Sequence, residues 1–345
     1  MDELKIDGRS IGPGERASIQ LPVARLKTQT EISMPVRVVR GKKDGPTLFV
    51  SAAVHGDEIN GVEIIRRLLR LQLLRRIRGT LIAVPMVNVF GFIQLSRYLP
   101  DRRDLNRSFP GSEGGSLAAR IADMFMSQIV AQSTHGVDLH TGAIHRTNLP
   151  QIRVSFDDGE ALKLARAFGA PVVMDASLRD GSLREAVCGK GIPVILYEAG
   201  EALRFDEWAI RPGLRGIVSI MHEIGMLPAP KRPRKHAPSM LVERSTWVRA
   251  TESGILSARV TLGQRVHRGD LLGMIGDPFG DLEIPIEAPV GGVVIGRTNL
   301  PLLNEGDAVF HIARIDDKEQ LPPTMEAFQA ALDTGFGFDP EGKQE

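Results

Sequence analysis

Two histidines and two carboxylates are spaced so that they could share a metal ion. His55 and Glu58 follow directly on an apolar run and flank a tight Gly-Asp turn, so both side chains can reach one ion. His140 closes a second apolar segment and Glu198 closes a third. A catalytic zinc takes three ligands of the His or carboxylate type and works beside a base that moves protons. These residues therefore predict one zinc ion per chain, bound by His55, Glu58 and His140, with Glu198 as general base.

A loop rich in arginine is the second candidate part of the site. It reads SRYLPDRRDLNRSFPG over residues 96–111. Asn106 and Arg107 are suited to bind a substrate carboxylate, because the guanidinium offers a bidentate fork and the amide adds a donor. Arg97 or Arg103 is suited to stabilise the oxyanion that forms when an amide carbonyl is attacked.

The segments that must position these residues alternate between predicted strands and helices. Strands are predicted at 46–54, 79–88, 136–140, 170–174 and 192–200, and helices at 60–74, 116–133, 159–168 and 211–227. Continuous apolar strands are typical of parallel sheets that are covered on both faces. We therefore predict an α/β fold, with a mainly parallel or mixed central sheet and helices on both faces. The candidate ligands and base would lie at the carboxyl ends of strands, where open α/β sheets bind ligands.

The composition changes after residue 227. Residues 228–240 are rich in proline and basic residues and are predicted to form a linker. Short β-like runs follow in two similar halves, which is typical of a small barrel of the biotinyl/lipoyl type. The hairpin between the halves, 276–281, has no lysine that could carry a cofactor. The predicted domains are an N-terminal β-rich segment, a zinc hydrolase domain, the linker, a barrel-like domain and a tail, at 1–35, 36–227, 228–240, 241–314 and 315–345.

Composition argues against several classes of partner. A formal net charge of +1 gives no electrostatic reason to expect nucleic acid or a membrane surface. The single cysteine, Cys188, excludes an intramolecular disulfide and suits a reducing compartment. The sequence has no apolar run of about 18 residues and no apolar signal-peptide core at its start. We expect a cytoplasmic protein that acts on a small molecule, and the sequence leaves open whether it forms a homo-oligomer.

Four motifs give the chain a specific resemblance. They are HGDE (55–58), DLNRSFPG (104–111), DLHTG (138–142) and YEAG (197–200). In this order and spacing they resemble the succinylglutamate desuccinylase/aspartoacylase family, which is similar in fold and site to the zinc carboxypeptidases. The resemblance runs over roughly residues 30–312.

The resemblance implies the same zinc ligands and the same base as the residues themselves suggest. It also implies that Asn106 and Arg107 bind the substrate carboxylate. An upstream arginine of the family polarises the scissile carbonyl, and its best match here is Arg97, with Arg103 as the alternative. A β-rich C-terminal domain that narrows the entrance to the site is a further expectation.

The residues and the resemblance together predict hydrolysis of the amide bond of a small N-acyl amino acid or related N-acyl compound. The products would be a carboxylic acid and a free amine. A zinc carboxypeptidase is the nearest alternative, because a C-terminal peptide bond is also an amide beside a free carboxylate. A non-catalytic metal-binding protein is a second alternative, although it would be expected to lose Glu198 or a ligand. Taken singly, either histidine could be a structural residue that donates to a backbone carbonyl.

Overall fold

The computed structural model describes residues 3–229, 238–315 and Met325. Most of the predicted linker, 228–240, and of the predicted tail, 315–345, lies outside these residues.

The first part of the chain alternates strands and helices. The strands are β1 (Leu4–Ile6), β2 (Arg9–Ile11), β3 (Arg16–Arg25), β4 (Glu31–Arg40), β5 (Lys43–Ala52), β6 (Arg78–Val84), β7 (His135–Gly142), β8 (Arg146–Val154), β9 (Val172–Asp175) and β10 (Val194–Glu201). The helices are α1 (Asn60–Leu68), α2 (Val89–Gln94), α3 (Leu117–Gln128), α4 (Gly159–Phe168), α5 (Leu183–Cys188) and α6 (Glu207–Glu223), with 3-10 turns at Gln72–Arg76, Leu105–Arg107 and Val130–Gln132. Among the described residues, no helix is both long enough and apolar enough to cross a membrane.

The remaining strands follow in the C-terminal part. They are β11 (Met240–Val242), β12 (Ser245–Arg249), β13 (Gly254–Ala258), β14 (Arg265–Val266), β15 (Leu271–Gly276), β16 (Glu283–Glu287), β17 (Gly292–Thr298), β18 (Leu302–Leu303) and β19 (Ala308–Arg314).

A mixed central sheet organises the molecule. Its strand order is β12-β19-β17-β8-β10-β7-β5-β6-β4-β3. The four central strands β10, β7, β5 and β6 are parallel, and antiparallel strands flank them on both sides. One face is covered by apolar residues of α1, α4 and α6, and the other by residues of α2, α3 and α5. The predicted fold class is therefore confirmed.

Strand β8 is the main element that the sequence does not predict. Its sequence, RTNLPQIRV, mixes Pro150 and several polar residues with few apolar ones, so it has neither an apolar run nor a clean alternation. It is nevertheless buried along most of its length, because it lies between β10 and β17. Tertiary pairing overrides the weak local pattern here.

The C-terminal strands form a sheet domain that joins the central sheet. Strands β16, β15, β13 and β18 form a separate four-stranded sheet, while β12, β19 and β17 extend the central one. The two halves of the predicted repeat interlock, since β13 pairs with β18 and β14 with β17. Gly269 and Gly306, in the matching Gly-Asp turns, both adopt left-handed φ values, of 89° and 84°. Strand β17 pairs with β8, and this contact determines where the domain docks.

His311 of β19 is buried near this junction. Its ring stacks on Trp247, with centroids 4.3 Å apart and planes within 7°. Its Nδ1 atom has no hydrogen-bond partner among the described residues. Burial, and secondarily the charge of Arg153, lower the pKa of His311 from 6.5 to about 3. The folded protein therefore keeps this imidazole neutral at pH values where the unfolded chain would protonate it.

We expect the stability to decrease as the pH falls from 6.5 towards 3, because the unfolded chain binds a proton at this position that the folded protein does not. His311→Phe keeps an aromatic ring on Trp247 and removes the titration. The variant should gain stability relative to the wild type by up to about 1.4 kcal/mol for each pH unit within that window. Urea unfolding at several pH values measures the difference. His267→Phe, at an exposed site, is the control, and a pH-independent difference for His311→Phe would contradict the prediction.

Candidate active site

Three neighbouring parallel strands bring the predicted ligands and base to one edge of the sheet. His55 follows β5, His140 lies in β7, and Glu198 lies in β10. These strands are adjacent, and Glu198 and His140 are direct partners in the β10–β7 register. Ala53 has a φ of 50°, in the left-handed region that non-glycine residues rarely adopt. This turn leads the chain from β5 to His55.

The three predicted metal ligands converge. Nδ1 of His55 lies 2.7 Å from Oε1 of Glu58, and Nδ1 of His140 lies 2.7 Å from Oε2 of the same carboxylate. One ligand atom from each residue lies within 4.8 Å of the other two, and all three residues are buried. The backbone N–H of Thr141 also donates to Glu58 Oε2, at 3.0 Å.

In both imidazole rings, the nitrogen that faces away from Glu58, Nε2, lies near a second carboxylate. Nε2 of His140 lies 2.8 Å from Asp138 Oδ2, and the hydroxyl of Ser51 donates to the other oxygen of Asp138 at 2.8 Å. Nε2 of His55 lies 3.2 Å from Asp104 Oδ1, without a well-aligned hydrogen bond. Such carboxylate–histidine pairs are the usual support of metal-binding imidazoles. The Nδ1 atoms and the Glu58 carboxylate are therefore a donor set that fits a zinc ion.

The electrostatics of the cluster favour positive charge at its centre. Burial alone would raise the pKa of Glu58, but the charges of His55 and His140 lower it overall. Burial would lower the pKa of His140, yet the carboxylates of Asp138 and Glu58 raise it well above its ordinary value. The raised pKa of His140 favours its protonated form when no other cation is present. A divalent cation would displace that proton on binding, as is general for metal sites built from histidine.

Arg97 joins this cluster and Arg103 does not. The guanidinium of Arg97 lies 3.2 Å from Glu58 Oε1 and 3.1 Å from Asp104 Oδ2. Arg103 is 62% exposed, and its Nε lies 3.4 Å from a carboxylate oxygen of Asp101. Asp104 is not among the predicted site residues, although it contacts both His55 and Arg97. Its position as the first residue of the DLNRSFPG motif is the sequence feature that could have identified it.

Asn106 and Arg107 lie in a 3-10 turn next to Asp104. The side chain of Asp104 caps this turn by accepting from the Asn106 N–H at 2.8 Å. Asn106 is buried, and its Oδ1 accepts from the backbone N–H of Leu183 at the start of α5, at 2.9 Å. Arg107 is exposed and donates to the carbonyl of Asn106. Because the Oδ1 atom of Asn106 already accepts this hydrogen bond, its NH2 group is the part of the amide that could donate to a substrate carboxylate.

Glu198 is held by two residues of β8. Its Oε1 accepts from Asn148 Nδ2 at 2.9 Å. Its Oε2 lies 2.5 Å from Arg153 Nε, in an ion pair whose N–H is poorly aligned for a hydrogen bond. Neither partner was predicted, because no motif marks them and β8 itself was not predicted.

Positive charge accumulates around Glu198. Arg179 lies on the loop between β9 and α5, exposed as a whole residue but with its guanidinium partly buried. This partial burial lowers the pKa of Arg179, and the nearby charges of Arg153 and Arg107 lower it further. The candidate site therefore pairs a compact cluster of imidazoles and carboxylates with an arginine-rich surround that suits an anionic ligand.

Comparisons with known proteins find a family and a relative that this chain matches. A family model described as "Succinylglutamate desuccinylase/Aspartoacylase catalytic domain" matches residues 44–224. The N-alpha-acetyl-L-2,4-diaminobutyric acid deacetylase of Halomonas elongata is 29% identical over 298 residues, which cover 82% of this chain and 86% of that protein.

Solved structures extend the likeness to the fold. A succinylglutamate desuccinylase/aspartoacylase from Rhodobacter sphaeroides has a TM-score of 0.76 and 25% identity, covering 86% of this chain and 95% of its own. The product-bound ectoine utilization protein EutE (DoeB) from Ruegeria pomeroyi has a TM-score of 0.78 and 24% identity, covering 87% of this chain and 95% of its own. At 24% identity, the likeness to EutE (DoeB) shows a shared fold only.

We expect the protein supplied with zinc to hold about one ion per chain, and His140→Ala to lose it, because a tetrahedral site with one ligand fewer binds poorly. Asp138→Asn should weaken zinc binding by about 10- to 100-fold, because the support of His140 Nε2 is altered. Elemental analysis and competition with a chromogenic chelator measure both effects. His222→Ala, at the end of α6, is the matched control. A wild-type protein without metal after zinc has been supplied would contradict the metal site.

Proposed function

The chain belongs to the succinylglutamate desuccinylase/aspartoacylase family, and on that premise we propose that it is a zinc-dependent deacylase. It hydrolyses the amide bond of a small N-acyl amino acid or related N-acyl compound and releases a carboxylic acid and a free amine. The observation that carries the proposal is the position of Glu198 opposite His140 in the β10–β7 register, at the edge of the sheet where the three candidate ligands converge.

The metal would be held by His55, Glu58 and His140. When bound, zinc supplies the Lewis acidity that makes water a nucleophile near neutral pH. Asp138 and Asp104 hold the outer nitrogens of the two imidazoles, so that the Nδ1 atoms face the Glu58 carboxylate.

Glu198 moves the protons. Its carboxylate takes a proton from the attacking water and passes it to the nitrogen of the leaving amine, as a general base and then a general acid. Arg97, beside Glu58, stabilises the negative charge that develops on the carbonyl oxygen. In this proposal Arg97, rather than Arg103, has the oxyanion role, because only Arg97 reaches the cluster.

Asn106 and Arg107 bind the carboxylate on the amine half of the substrate. The nearby positive charge of Arg179 suits the same anionic group. The deacetylase of Halomonas elongata acts on an N-acetylated amino acid, which supports small acyl groups for this chain. The docking of the C-terminal domain on β8, the strand that holds Glu198, supports a small acyl group over a polypeptide.

Glu198→Gln should lower kcat by about 100- to 10,000-fold, because the amide cannot accept the proton of the attacking water. The zinc content should stay at the wild-type level, since Glu198 is not a ligand. Release of free amine from a panel of N-acetyl and N-succinyl amino acids provides the assay. Retention of wild-type kcat by the variant would remove Glu198 from the mechanism.

Arg97→Gln and Arg103→Gln form a matched pair. We expect Arg97→Gln to lower kcat by about 100- to 1,000-fold, the usual loss when an oxyanion donor is removed. Arg103→Gln should stay within about twofold of the wild type, because substitutions at exposed positions with few contacts have small effects. Steady-state kinetics on the best substrate of the panel distinguish them, and the reverse order of effects would reassign the oxyanion role.

A further inference from the structure

The side chain of Asn148 links Glu198, the proposed general base, to the C-terminal domain. On one side it donates to Glu198 Oε1 at 2.9 Å. On the other side, Asn148 is the direct partner of Gly296 in the β8–β17 register. Asn148 is itself buried, with 6% of its surface exposed, so its amide has little freedom to choose other partners.

A bulge in β8 places Asn148 on the side of the sheet where Glu198 lies. The register pairs Glu198 with Gln151 but Gly200 with Asn148, so that a step of two residues on β10 faces a step of three on β8. The extra residue reverses the alternation of side chains. Asn148 and Arg153 can therefore both reach one carboxylate, although they are five positions apart and a regular strand would send them to opposite faces.

Gly296 provides the space that the Asn148 amide occupies. A Cβ atom at position 296 would lie 2.8 Å from Asn148 Oδ1, closer than real Cβ atoms approach an oxygen. It would also lie 3.3 Å from the Cβ of His311, on the neighbouring strand β19. A side chain at 296 is thus confined between two buried neighbours, and the amide of Asn148 would have to move.

We propose that Gly296 and Asn148 act as positioning residues for the reaction: the C-terminal domain, through the missing side chain at 296, sets the amide that orients the Glu198 carboxylate. This rests on the proposed function, in which Glu198 moves the protons. The C-terminal domain then contributes to proton transfer itself and does more than narrow the entrance. With the amide displaced, Oε1 loses its donor, and the ion pair with Arg153 pulls the carboxylate away from its working direction.

The test uses the full chain and three variants, Gly296→Ala, Asn148→Ala and the double variant. Each single substitution should lower kcat by about 10- to 100-fold, the range expected when a catalytic group is misplaced by about 1 Å, with KM changed less than about threefold. In the Asn148→Ala background the alanine at 296 has no amide to displace, so the double variant should match Asn148→Ala alone. Gly276→Ala, in β15 of the same domain, is the control, since a Cβ there meets its nearest neighbour at an ordinary 3.4 Å.

The proposal would be overturned if the losses of kcat in the two single variants multiplied in the double variant. It would also be overturned if Gly296→Ala were as active as Gly276→Ala. If Gly296→Ala does not fold, Asn148→Ala decides, and a kcat within about twofold of the wild type overturns the positioning role. Crystal structures of wild type and Gly296→Ala add a readout that needs no substrate. The distance from Asn148 Nδ2 to Glu198 Oε1 should exceed the 2.9 Å of the wild type by more than about 0.5 Å, and an unchanged distance refutes the coupling.

Failure of the proposed function would look different. In that case the zinc-loaded wild type itself releases no amine from any member of the N-acyl panel, and the crystallographic distance alone decides whether Gly296 positions Asn148.

Discussion

The arrangement of the site depends on the buried carboxylate of Glu58. An unpaired charge in a protein interior is very unfavourable, and this side chain is only 2% exposed. His55 and His140 therefore have to lie against it, and each of them is held in turn by a second carboxylate. This requirement fixes the relative positions of two strand ends and of the loop that carries Asp104. The same concentration of negative charge makes the pocket suitable for a divalent cation.

Strand β8 imposes a second constraint, which links the two parts of the molecule. One of its edges pairs with β10, which carries Glu198, and the other pairs with β17 of the C-terminal domain. Because hydrogen-bonded strands hold each other in a fixed register, a change on one side of β8 reaches the other side. Asn148, one of the two residues that hold Glu198, is therefore also a residue on which the C-terminal domain docks. The proposed positioning role of Gly296 and Asn148 runs through this strand.

The sequence predicts the fold class and the convergence of the candidate ligands for one physical reason. Apolar strands and amphipathic helices are local patterns, and parallel strands must place their carboxyl ends together. His55, His140 and Glu198 each follow such a pattern, so their convergence could be predicted without coordinates. Helix α4 has the limits that the sequence predicts, whereas the helix predicted over 60–74 is helical only over Asn60–Leu68, and a separate 3-10 turn follows at Gln72–Arg76. Arg97 and Arg103 could not be distinguished, since the direction of a side chain on a loop depends on contacts from distant segments.

The sequence by itself determined which residues could bind a metal and which carboxylate could move protons, because motif order and strand ends are properties of the chain. The tertiary structure alone decided what holds that carboxylate. Asn148 and Arg153 lie in a strand with no local signature, and a bulge brings Asn148 to the face on which Arg153 meets Glu198. Gly296 comes from a domain far along the chain. Such contacts arise only from pairing between strands that are distant in sequence, where the partner rather than the local pattern selects the conformation.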